Sequence, residues 1–192
     1  TSYLHDSKHY IKYYPMATQQ PPAPFSCVYT PNIPELLHQL GCTIAISTYQ
    51  AGKVILMSAQ GPDKLIQLPR SFVKAMGIAL EGRKLAIATK DEVLVLANSV
   101  DLAEHYPRQP QTYDALFMPR ATYYTGQVDI HDLDWGSNGN LFAVNTSFSC
   151  IIEIDDNYSF TPWWQPPFIS KLASEDRCHL NGLGLRDGNI RY

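Results

Sequence analysis

The chain has 192 residues, of which 45% are hydrophobic and 17% charged, and a formal net charge of −3. That balance suits a folded domain with a sizeable core and excludes a disordered segment. There is no basic surplus of the kind nucleic-acid binders carry, and no apolar run approaches the ~18 residues of a membrane span. The expected partner is therefore an unknown small molecule or protein, with no nucleic acid and no membrane.

Residues 1–15 are polar and tyrosine-rich, without the apolar stretch of a secretory signal, so a cytoplasmic location is expected. Met16 opens Met-Ala-Thr-Gln-Gln-Pro-Pro in the manner of a natural start, which makes residues 1–15 upstream sequence. Pro15, Pro21, Pro22 and Pro24 stiffen the next stretch, and residues 1–24 are expected to be a disordered or extended arm ahead of a domain over 25–192. Pro34-Glu-Leu-Leu-His-Gln-Leu40, closed by Gly41, predicts a short helix with Leu36, Leu37 and Leu40 facing inward.

A phrase then recurs three times. Gly41-Cys-Thr-Ile-Ala-Ile-Ser-Thr48, Gly82-Arg-Lys-Leu-Ala-Ile-Ala-Thr89 and Gly139-Asn-Leu-Phe-Ala-Val-Asn-Thr146 each give a glycine, alternating apolar residues, an alanine and a closing threonine. Spacings of about 40 to 60 residues between copies of a strand-like unit point to a β-propeller. The first unit predicts strands over 43–48, 53–59 and 64–68, with a hairpin at Tyr49-Gln-Ala-Gly52. The second predicts strands over 77–80, 85–89 and 93–97, and the third over 130–135, 141–145 and 151–154. A fourth starts with a strand over 180–185 and a turn at Arg186-Asp187-Gly188. The fold class is all-β, an incomplete propeller of about three and a half blades with short helices in its connections. A strand pattern that stops at Tyr192 is what a fragment of a longer protein would show.

Long connections at 101–127 and 157–177 carry many aromatics, which either line a binding mouth or cover blade edges. The four cysteines, Cys27, Cys42, Cys150 and Cys178, show no metal-finger spacing, and three lie in or beside apolar runs as reduced, buried thiols.

In a propeller, the residues opening each innermost strand surround the central channel. Here they are Met76-Gly77, Ile130-His131-Asp132 and Cys178-His179-Leu180-Asn181. Two units thus bring a histidine with a nearby Asp or Asn to matching places. Such groups bind a polar ligand or a divalent metal, or else tie neighbouring units together through the backbone. Glu175-Asp176-Arg177 precedes His179, and a carboxylate there would orient its ring. His131, Asp132, His179, Asn181, Arg177 and Asp176 are the candidate ligand contacts. Asp132 and Asp134, two apart on a strand, share one face and are a candidate cation pair or a solvated strand end; Asp129 would point the other way if the strand reached it.

Ser47-Thr-Tyr-Gln-Ala-Gly-Lys53, Pro119-Arg-Ala-Thr-Tyr-Tyr-Thr-Gly126, Asp129-Ile-His-Asp-Leu133, Val144-Asn-Thr146, Phe168-Ile-Ser170 and Glu175-Asp-Arg-Cys-His-Leu-Asn-Gly182 together resemble an uncharacterised bacterial family with propeller-like sequences. The resemblance covers residues 24–192 and implies fold more than function. More loosely, His131 to Thr146 and Leu180 to Tyr192 are similar to blades of gluconolactonase and regucalcin-like propellers. That similarity implies Asn181 as a ligand to a divalent cation and His131-Asp132 as pocket residues. Met76 and Gly77 depart from it, since neither supplies the acidic ligand of that family. Three functions are open: ligand or partner binding at the channel mouth, with catalysis undecided; metal-assisted hydrolysis of a lactone or other ester, with a cation at Asn181 and Asp132 and with His131 or His179 moving a proton; or a purely structural interaction domain.

Overall fold

The computed structural model describes residues 27–191, so the expected arm over 1–24 lies outside the described residues. The chain opens with α1 (Ile33–Leu40), started by Pro34 and ended by Gly41 in the left-handed conformation that only glycine takes without cost. Three strands come next as a meander: β1 (Ile44–Thr48), β2 (Lys53–Ala59) and β3 (Leu65–Ser71). A second meander runs β4 (Ile78–Glu81), β5 (Lys84–Ala88) and β6 (Glu92–Asn98), then α2 (Val100–Ala103), then β7 (Phe117–Tyr124). The third is β8 (Ile130–Trp135), β9 (Leu141–Asn145), β10 (Cys150–Ile154) and β11 (Thr161–Trp164), and β12 (Leu185–Arg186) with β13 (Asn189–Ile190) begin a fourth sheet. The fold is all-β, and every pairing is antiparallel between strands adjacent in the chain.

The repeated phrase forms β1, β5 and β9. In β5 its apolar residues are buried on both faces, between the first and third sheets, and in β9 they are buried with the second sheet against one face. One core joins the second and third sheets through Ala79, Ala86, Val93, Ile130, Leu133, Ala143 and Ile152. A smaller one joins the first and second through Val54, Leu85, Ile87 and Leu96. Alanine is the side chain that lets β4 and β5 sit against β8. Gly77 shows how close that approach is, since a Cβ there would lie 3.0 Å from the Cα of Asp132.

Several expectations need correcting. Of the three leucines in α1 only Leu37 is buried, beside Pro34; Leu36 and Leu40 are exposed, because the helix rests on the first sheet along a single narrow stripe. The connections at 101–127 and 157–177 hold outer strands, β7 and β11. Each outermost strand carries a proline, Pro69 in β3, Pro119 in β7 and Pro162 in β11, which an edge strand tolerates because one side needs no ladder donor. Residues 180–184 form no strand: Leu180 O and the Leu183 N–H bond to the side chains of Thr146 and Asp132 instead of a ladder. Of the cysteines only Cys150 is buried, with burial pushing its thiol up to about 11, while Cys42 is exposed. Among the described residues no helix is long and apolar enough to cross a membrane.

Candidate functional site

The turns after the repeated phrase all lie at one end of their sheets, and each is laced to a segment that leads into its own sheet or the next. Ser47 Oγ donates to the carbonyl of Met76, and the Lys90 N–H to that of Val73 at 2.9 Å. The N–H of Ser147 reaches Val128 O at 3.2 Å and that of Asp176 reaches Ser147 O at 2.9 Å. Thr146 Oγ1 donates to Leu180 O at 2.6 Å. Backbone satisfaction thus gathers residues 72–77, 125–129 and 174–183 at a common mouth.

The start of β8 is irregular there. Ile130 pairs with Asn145, but Leu133 pairs with Ala143, so an extra residue bulges at His131-Asp132. Bulges of this kind re-aim side chains. Asp132 fixes it: Oδ1 accepts from the N–H of Leu133 at 2.9 Å and Oδ2 from that of Leu183 at 3.1 Å. Asp132 therefore ties segments together and has both oxygens engaged. Asp134 likewise caps the N–H of Trp135 at 2.8 Å. The strand begins at Ile130, so alternation does not govern Asp129, which adopts a left-handed backbone with φ of 54°.

The bulge aims His131 at Asn181. Its Nδ1 lies 2.7 Å from Asn181 Oδ1 and its Nε2 lies 3.2 Å from Asp129 Oδ2. Both ring nitrogens are taken up by the protein, and the side chain is only 10% exposed. His179 arrives from the other unit, and the two rings meet edge to face with centroids 4.9 Å apart. Its Nδ1 lies 2.8 Å from Asp176 Oδ2, and its side chain is 60% exposed. The hydrogen bond to Asp176, followed by attraction to that carboxylate, raises the His179 pKa above its ordinary 6.5. Nε2 has no partner among the described residues. His131 is thus a fixed wall, and His179 is a carboxylate-oriented imidazole with one free nitrogen. Such a dyad binds a hydrogen-bonding group or moves a proton.

Arg177 turns to Glu175 instead, with Nη2 and Nε 2.6 and 2.7 Å from one carboxylate oxygen, which holds Glu175 below its usual range. Among the described residues no three His, Cys, Asp or Glu side chains gather as metal ligands. Asp132 and Asn181, the pair expected to hold a cation, have their oxygens facing N–H groups and an imidazole.

A cavity of ≈ 180 Å³ adjoins the histidines, lined by Tyr49, Lys74, Met76, Lys90, Gln127 and Asp129 among others. Asp129 is common to both parts. Lys74 holds its ammonium 5.2 Å from the centre of the Tyr49 ring, and the interaction with Tyr49 raises its pKa above 10.5. Sequence reasoning missed Tyr49, Lys74 and Lys90. A signal existed for two of them: Tyr49 and Lys90 each come directly after the closing threonine of a repeat, the position Ser147 takes in the third.

These features define an all-β repeat protein with a polar site where its turns converge. The model of a family described as a domain of unknown function, DUF4915, matches residues 31–192, and the chain belongs to that family. No curated protein matches it.

Proposed function

We propose that residues 25–192 form part of a β-propeller whose channel mouth binds a small polar ligand, with His179 as the group that meets it. Successive meanders packed side by side support the architecture. So does β1: it repeats β5 and β9, yet among the described residues it has no inner partner such as β4 and β8 give them. The function rests on one observation, the meeting of His131 and His179 from separate units beside a polar cavity, with the His179 side chain 60% exposed. Asp129, Asn181 and Asp176 hold the two rings; Asp132 sets the bulge that brings the first into place.

The Asp176–His179 dyad favours a second reading, hydrolysis of a lactone or other ester, in which Nε2 takes a proton from attacking water. The donor set does not fit a divalent cation, so this reading needs no metal. Ligand-observed NMR against organic acids, sugars and lactones, run on the chain and on His179→Ala, tests both. Binding is supported by compounds that shift the His179 ring signals and lose affinity in the variant. It is overturned if every bound compound ignores the substitution, as a purely structural role for His179 requires. Lactones that open faster with the chain than with His179→Ala add the hydrolytic step; equal rates remove it.

A further inference from the structure

We infer that the cavity at Lys74 and Lys90 is the head-group pocket for an oxyanion, a carboxylate or a phosphate, whose remaining atoms extend over Asp129 to His179. This rests on the ligand-binding reading and adds the chemical class of the ligand.

The charge of the lining decides the class. Two lysines and one carboxylate line the cavity, and that carboxylate already has an oxygen 3.2 Å from His131 Nε2. The cavity is left with a positive surplus that a cation would not enter. Lys74 is held as well as charged. Its backbone sits in the left-handed region at φ 52°, unusual for a side chain of this size, and the Tyr49 ring lies under its ammonium. Lys90 is fixed at its base by the bond from its N–H to Val73, next to Lys74. Lys74, from the connection between the first and second sheets, and Lys90, from a turn of the second, therefore meet in one place, with Gln127 as a further donor.

Size agrees. At ≈ 180 Å³ the cavity is smaller than the ~300–1,000 Å³ of sites that enclose whole ligands, and it suits a head group. Asp129 separates it from the histidine pair and attracts both Lys74 and His179. A ligand bridging the two halves would carry an anionic end and a hydroxyl or carbonyl for the free imidazole nitrogen.

The test uses acetate and methyl phosphate as probes, titrated into the whole chain at constant ionic strength and followed by NMR. Lys74→Met and Lys90→Met are compared with Lys64→Met, which removes the same charge at the far end of the first sheet. At least one probe is expected to bind, with affinity falling about tenfold in each cavity variant and less than about twofold in the control. Whichever probe binds more tightly identifies the head group as carboxylate or phosphate. Equal losses in all three variants would reduce the effect to general charge and overturn the inference. If neither anion binds while neutral compounds still shift the His179 signals, the anion class fails and the ligand site stands. If nothing shifts them, both fail.

Discussion

Strands β1 and β9 carry the same phrase, yet one lies open and the other is sealed. Ile44 and Ile46 in β1 are 42% and 40% exposed, whereas Leu141, Phe142, Ala143 and Val144 in β9 are all buried. The alternation that makes a strand is local, so both copies obey it. Burial depends on neighbours: β9 has β8 on one edge and the second sheet against its face, and among the described residues β1 has neither. The phrase specifies a strand that fits between sheets, and its energetic worth is realised only where sheets flank it.

Truncating the core should expose this most sharply. Ile152→Ala, on the strand beside β9 and fully buried, is expected to cost about 2–5 kcal/mol in urea unfolding, against under ~1 kcal/mol for Ile46→Ala in β1. Similar costs would mean that β1 is covered in solution. Overfilling comes next. Ala143→Leu should cost about 1–3 kcal/mol, since Ala143 has no exposed surface, while Ala45→Leu on the open strand should stay within ~0.5 kcal/mol. Equal penalties would contradict the flanking account. The open edge itself makes a further expectation: residues 16–192 should self-associate in sedimentation, and a proline placed at Ile44 should reduce that. A strict monomer with and without the proline would contradict it.

The smallest effect is in pH. Because Asp176 raises the His179 pKa above 6.5, the folded state holds that proton more tightly than the unfolded chain does. The resulting stabilisation is complete below 6.5 and fades as pH rises through the folded value. The Tm gap between the chain and Asp176→Asn should therefore be wider at the acid end of this window than at its alkaline end. The site is exposed, so the change is small, and a gap that widens with rising pH would refute the pairing.

The central strands of each unit were legible in the chain, because β5, β6, β9 and β10 are apolar and end at Gly, Asn or Asp turns. Of the outer strands, β3 was read in part, over 64–68, and β7 and β11 were not. In β7 the burial alternates weakly around Pro119, and β11 is four residues with Pro162 inside it, so composition there reads as loop. The histidines were found by their place ahead of inner strands. Their division of labour was not, because it depends on a bulge that breaks the two-residue period and on Asn181, a partner fifty residues away. Lys74 carried no pattern; the cavity draws it in from a connection that no repeat marks.

The meeting of two imidazoles from separate units is the feature on which the site depends most. Proton NMR of the chain labelled at histidine measures it directly, through ring-to-ring cross-peaks between His131 and His179. Cross-peaks that persist in the whole chain, with His179 titrating above 6.5 and falling back in Asp176→Asn, are the predicted result. Absent cross-peaks, with His179 indifferent to that substitution, would contradict it.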